Sequence, residues 1–255
     1  MIPPSRAAWL RAAPFMAFMA ILMLRGQAAQ WLPGVDGRWL YAANLLVVAP
    51  MLVLWWREYG ELAWQNRPLA REAALAVGVG FAVFGLWIAL DATWMQVGEP
   101  AATFVPLDGE GGLVWSLVAV RWAGAALLVP VMEELFWRSF LMRWIDRPDF
   151  AAVDPRSATV RAVMLSTFAF TLVHTQWLAA VLAGLAYATL YRATGRLWNA
   201  VIAHAVTNAA LGTWVVVTGN WAYWRALSSG GCRCPRSSLS SAPAELVQPL
   251  RPAHH

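Results

Sequence analysis

Seven apolar runs, four of their six connections bearing arginine, limit what this chain can become: Ala7–Leu24, Trp39–Trp56, Ala73–Met95, Leu113–Arg143, Val160–Val173, Trp177–Tyr191 and Leu197–Thr218. A spanning helix needs about 20 mostly apolar residues, and most of these runs meet that length. The expected fold is an all-α, polytopic transmembrane helical bundle of about seven spans (six to eight). The first run could be mistaken for a secretory leader. Arg25 directly behind it and the spans downstream favour a retained helix. Composition agrees, since 60% of residues are hydrophobic and only 13% are charged, a balance outside the range of soluble domains.

The net charge of +5 would suggest nucleic acid as partner for a soluble protein. Here the arginines sit in loops between apolar runs, which fits anchoring at a lipid bilayer and leaves no role for nucleic acid. They are also unevenly shared. One set of loops collects Arg6, Arg11, Arg57, Arg67, Arg71, Arg143, Arg147, Arg156, Arg161, Arg192 and Arg196, and the opposite short loops hold Arg25 and Arg38. The positive-inside rule then puts the amino terminus in the cytoplasm.

Two runs depart from a simple crossing. The fourth is too long for one, and Arg121 and Arg143 within it lie ~33 Å apart at helical rise. That separation nearly matches the hydrocarbon layer, so both are expected to snorkel to opposite faces. Pro130, midway, is expected to bend this helix. The fifth and sixth runs, each ~20 Å long, are joined by His174-Thr175-Gln176. They read as a hairpin whose tip stops inside the bilayer, shielded by neighbouring helices. Three regions result: residues 1–112 as amino-terminal transmembrane helices, 113–218 as a membrane core, and 226–255 as a flexible Gly/Ser/Pro-rich tail. The tail holds a lone Cys232-x-Cys234 and the terminal His254 and His255, all read as incidental.

Ionised side chains at membrane depth are costly and mark function by default. The fourth run carries Glu133, Glu134 and Arg138; the fifth ends in Phe170-Thr171-Leu172-Val173-His174; the seventh contains His204-Ala205-Val206-Thr207-Asn208. Counted from the flanking arginines of one face, Glu133, His204 and His174 lie ~15, ~12 and ~20 Å deep. One shared buried site would satisfy all three. Glu134 and Arg138 have the spacing and order of a helical ion pair, which leaves Glu133 turned ~100° away. Two neighbouring carboxylates beside a histidine can take a proton from water. His and Asn donors could then stabilise an oxyanion, which makes amide hydrolysis chemically reasonable.

The order E-E-x-x-x-R, F-x-x-x-H, H-x-x-x-N on successive helices resembles the CPBP family, the type II CAAX prenyl endopeptidases and the bacteriocin-processing or immunity (Abi) proteins. The Trp-rich amino-terminal half is also similar to the exosortase-associated, CAAX-protease-related branch. The resemblance implies an intramembrane endopeptidase in a bacterial inner (plasma) membrane, acting on a membrane-anchored protein or peptide. It implies that Glu133 and His174 activate water. Glu134 and Arg138 would hold the site together, and His204 and Asn208 would support the oxyanion. Whether a metal takes part stays open; if zinc is bound, Glu133, His174 and His204 are the candidate ligands, although the spacing is not H-E-x-x-H. Other readings of the same residues are a structural ion pair with interhelical hydrogen bonds, as in a non-catalytic membrane partner or immunity-type factor, and a proton-relaying transporter.

Overall fold

The computed structural model describes residues 5–31, 34–97 and 104–224, side chains of 25–31 excepted. The tail 226–255, with both cysteines and the last two histidines, lies outside the described residues. Seven helices form an all-α bundle: α1 (Arg6–Trp31), α2 (Leu40–Leu54), α3 (Ala70–Ala89), α4 (Trp115–Asp146), α5 (Val160–Thr171), α6 (Trp177–Thr194) and α7 (Leu197–Thr218). Among the described residues α1, α2, α3, α4 and α7 carry segments long and apolar enough to cross a membrane. The chain is thus an integral membrane protein. The two remaining helices are the short pair, so five spans plus a hairpin stand where seven runs were read. The hairpin tip rests on the far end of α3. Gln176 Nε2 donates to the Trp87 carbonyl at 3.1 Å, and the Thr175 carbonyl accepts from the Val97 amide at 2.8 Å.

α7 packs extensively against both α3 and α4. Lipid supplies no hydrophobic drive between helices, so close approach depends on small residues. Gly80 provides it, since a Cβ there would lie 2.6 Å from the Ala203 carbonyl oxygen. The gap is bridged by Thr207 Oγ1, 2.9 Å from the Gly80 carbonyl. Gly184 does the same for α6 against α5, where a Cβ would meet Thr167 Cγ2 at 2.8 Å. Gly195 ends α6 with φ +70, the left-handed conformation that lets the chain turn directly into α7.

The end of the bundle nearest the amino terminus is closed by a buried charge cluster. Arg11 of α1 grips Glu61 through Nε–Oε1 at 2.7 Å and Nη2–Oε2 at 2.6 Å. The Ser139 hydroxyl of α4 donates to the same carboxylate. Arg143 Nη2 donates to Ser139 Oγ at 2.8 Å and its Nε to the Ser139 carbonyl at 2.6 Å. Both guanidinium groups lie over the Phe150 ring, at 5.4 and 5.3 Å. Burial pushes the Glu61 carboxyl up, but the hydrogen bond and charge of Arg11 and the Ser139 hydroxyl outweigh it and hold the group below the usual carboxylate range.

The snorkelling expected of Arg121 and Arg143 is not what forms. Arg143 is 7% exposed and ties α4 to its own serine and to the Val153 carbonyl. Arg121 turns inward, its guanidinium 4.5 Å from the centroid of the Tyr41 ring. A spacing that equals the layer thickness fixes depth along the helix but not the face, and both arginines lie on faces turned to protein.

Candidate active site

α4 carries the first motif, and its backbone is not a plain α-helix. It widens into π turns at Gly124–Leu128 and Leu135–Met142. Pro130 is the chemical reason for the consequence of the first. The Val129 amide donates to the Gly124 carbonyl, one residue beyond the α register. The Ala125 carbonyl therefore loses its α partner, and its π partner would be Pro130, which has no N–H. The side chain of Asn208 on α7 fills the gap, Nδ2 donating to Ala125 O at 2.8 Å. The disturbance predicted from Pro130 thus takes the form of a widened turn and one freed carbonyl.

Past Pro130, Glu134 is fully buried and holds two partners. Arg138 Nε lies 3.2 Å from its Oε2, and His204 Nδ1 lies 2.9 Å from its Oε1. Arg138 is 2% exposed and sits between two rings, 4.6 Å from Phe170 and 5.5 Å from Tyr187. Phe170 belongs to the second motif, so its ring and the Glu134 carboxylate together fix the guanidinium. The same Tyr187 ring stacks on His204 at 5.0 Å with an interplanar angle of 18°, and its hydroxyl bonds Thr207 Oγ1 at 2.8 Å. Tyr187 and Thr207 were not picked out from sequence, since a tyrosine and a threonine in apolar runs give no signal of this kind.

His174 stands at the hairpin tip, where α5 has just ended. Its Nδ1 is 2.8 Å from the Phe170 carbonyl. A carbonyl only accepts, so Nδ1 carries the hydrogen and Nε2 keeps its lone pair. His204 Nδ1 is fixed likewise by the Glu134 carboxylate. Glu133, 8% exposed, has its Oε2 without a hydrogen-bond partner.

A cavity of about 220 Å³ brings the three motifs together. Glu133, His174, His204 and Asn208 line it, with Tyr187 and Thr207 beside them, while Glu134 and Arg138 lie behind its wall. Among the described residues Glu133 and His174 share no direct hydrogen bond, and the cavity that both line is large enough for water.

Zinc is the metal these donor types would take. Among the described residues no three His, Cys, Asp or Glu side chains come together as a set able to hold an ion. Glu133, His174 and His204 share a cavity without forming a ligand set.

No curated protein and no solved structure matches this chain. Residues 114–210 match the family described as type II CAAX prenyl endopeptidase, Rce1-like. The match spans Glu133, Glu134, Arg138, His174, His204 and Asn208. This membrane core is thus similar to the Rce1-like family of type II CAAX prenyl endopeptidases.

Proposed function

We propose that the protein is an intramembrane endopeptidase that hydrolyses a peptide bond of a membrane-anchored protein or peptide, using water activated by Glu133 and His174. The observation that carries this reading is the single cavity lined by Glu133, His174, His204 and Asn208. The supporting arrangement divides the carboxylates by task. Glu134 is held by Arg138 and His204, and Glu133 lines the cavity with its Oε2 making no hydrogen bond.

In this reading a water lies between Glu133 and His174 Nε2. Glu133 takes its proton as the oxygen attacks the scissile carbonyl carbon. The resulting oxyanion is met by two donors. One is the His204 ring, held at Nδ1 by the Glu134 carboxylate and lining the cavity. The other is the Asn208 N–H that is not used on Ala125. Collapse breaks the C–N bond, and the proton returns from Glu133 to the leaving amine. The products are a carboxylic acid and an amine, which become carboxylate and ammonium by passing one proton between them, with no net proton change at the site. Residues 113–218 act as the catalytic core in this scheme, and 1–112 support it. The amino terminus is cytoplasmic in a bacterial inner membrane, as the arginine bias favours.

Co-expression with candidate membrane-anchored substrates tests the mechanism. Cleavage by the intact protein should vanish in Glu133→Ala and in His174→Ala, both accumulating in the membrane at normal level. Cleavage that survives either substitution overturns the mechanism.

A further inference from the structure

The arginines at the amino-terminal end of the bundle divide into spent and unspent. Arg11 and Arg143 serve Glu61 and Ser139. Arg196 Nη1 holds both Glu72 oxygens, at 2.6 and 2.7 Å, and Arg156 Nη2 donates to the Thr194 carbonyl at 2.6 Å. Arg71 in the first turn of α3 and Arg192 in the last turn of α6 enter no ion pair among the described residues. Arg71 is exposed. Arg192 is half-buried, and its Nε is shut off from solvent without an acceptor. The Glu72–Arg196 contact ties the start of α3 to the residue that follows the α6 turn, so Arg71 and Arg192 stand within about one helical turn of the same depth.

Between α3 and α6 runs an open apolar groove of about 440 Å³, lined by Leu75 and Val79 on one side and by Leu185, Thr189 and Ala193 on the other. Both helices lean on α7, and the small Ala186 and Ala193 leave the space between them unfilled. Leu75 is 55% exposed, so the groove opens away from the bundle. Arg71 precedes Leu75 by four residues and Arg192 follows Thr189 by three, so each arginine is a helix-face neighbour of the lining. Their level is that of lipid headgroups. In the chain leading into α3, Trp56 and Trp64 are 40% and 76% exposed, and the Arg67 guanidinium lies 4.9 Å from the centroid of the Trp64 ring. Tryptophans of this kind mark the membrane–water boundary.

We propose that the α3–α6 groove binds an anionic phospholipid, its headgroup phosphate on Arg71 and Arg192 and an acyl chain along Leu75, Val79 and Ala186. The site lies outside the cavity and does not rest on the hydrolytic reading. Charge selects the lipid. Arg71, Arg192 and Arg196 stand here against Glu72 alone, three positive charges to one negative. A guanidinium fork matches phosphate oxygens, and the bond is strong because it is charge-assisted. A zwitterionic lipid offers the same phosphate but brings its own amine to the arginines, so a headgroup of net negative charge is favoured. The apolar groove supplies what a soluble phosphate lacks, a surface for the chain. The enclosed Arg192 Nε would gain an acceptor, which removes the cost of an unmet buried donor. A lipid held this way bridges α3 and α6 and stabilises the folded bundle by mass action.

Thermal unfolding of the full chain in maltoside micelles tests this. Dioleoylphosphatidylglycerol titrated into the micelles should raise the unfolding temperature to a plateau, and dioleoylphosphatidylcholine should not. Arg71→Gln/Arg192→Gln should unfold at an unchanged temperature without lipid and need at least ten times more phosphatidylglycerol for half of the rise. Arg57→Gln/Arg147→Gln removes the same charge from two exposed arginines outside the groove lining, and should respond like the intact protein. Ala186→Phe fills the groove and should also weaken the response. Glycerol phosphate, which has the headgroup charge without chains, should have no effect. No rise with phosphatidylglycerol, or an equal rise with phosphatidylcholine or glycerol phosphate, overturns the proposal. So does an undiminished response in Arg71→Gln/Arg192→Gln or in Ala186→Phe. An equal loss in the two double variants overturns it as well, because bulk charge would then account for the response. The comparison of the two lipids needs no substitution, so it stands even where a variant fails to fold.

Discussion

The two ends of this bundle bury charge in opposite ways. At the amino-terminal end, Glu61 is gripped by Arg11 and Ser139, and Arg143 is spent on Ser139 and the Val153 carbonyl. Little there is left to act on a ligand. In the middle, Glu134 is held by Arg138 and His204, although its Oε2 and Arg138 Nη1 make no hydrogen bond, and Glu133 beside them keeps an oxygen without a partner and faces a cavity. Burial of an ionisable group is therefore not by itself a sign of chemistry. An unsatisfied group next to space is the stronger sign, because an unmet hydrogen bond in a dry interior is costly and persists only where something holds it.

The widest break in this comparison is Glu133→Gln. The substitution keeps shape and removes only the base. Cleavage of a membrane-anchored reporter should fall by about 10²- to 10⁴-fold, the usual contribution of general base catalysis. The unfolding temperature in detergent should not fall. A loss of stability equal to that of a Glu134 variant would place Glu133 among the structural charges instead.

Glu61→Gln should do the reverse. Removing one partner of a buried ion pair costs about 3–5 kcal/mol, since the other charge is left behind. Denaturant unfolding should report that loss, while cleavage per folded molecule stays unchanged. The pH dependence gives a second readout. Glu61 is held below its ordinary range, so its contribution is complete above the unfolded-state value and is lost as pH falls through the folded one. The intact protein should thus weaken on acidification below about pH 5, and Glu61→Gln should show a flatter acid limb. A limb of unchanged slope would mean that other carboxylates carry the acid sensitivity.

Packing between the two ends is tested by Gly80→Ala. The added Cβ would meet the Ala203 carbonyl at 2.6 Å and Val206 Cβ at 2.7 Å, backbone and a stiff branched side chain that cannot turn aside. Overpacking of this kind costs about 1–3 kcal/mol. Since Thr207 and His204 sit on the same helix, activity should drop along with stability. Unfolding and cleavage measured together separate this from Glu133→Gln, where only cleavage falls.

Much of this contrast was legible in the sequence, and the reason it was only part is physical. The apolar runs gave the helices, and the E-E-x-x-x-R, F-x-x-x-H and H-x-x-x-N spacings gave residues that line or back one cavity. Both signals are local or repeat with helical period. The Arg11–Glu61 clamp joins residues 50 positions apart, one in an apolar run and one in a loop, so each reads alone as a flanking charge. Arg121 was misread because depth along a helix says nothing of its face. Tyr187 and Thr207 carry no charge and look like any span residue. Pro130 announced a break in α4 but could not say that Asn208 would come from another helix to mend it.

The smallest effect should come from the exposed neighbour of the clamp. Arg6 Nη2 and Glu58 Oε1 are 2.7 Å apart, as close as the Arg11–Glu61 contacts, but the side chains are 74% and 39% exposed. Water and salt screen such a pair, and the two side chains lose freedom to hold it, so its contribution is about 0–1 kcal/mol. Arg6→Gln should leave the unfolding midpoint and the cleavage rate nearly unchanged at ordinary salt. Measured beside Arg11→Gln, it compares one exposed contact with a buried two-bond grip at similar distances. Equal losses from the two substitutions would mean that neither burial nor the second bond strengthens the clamp.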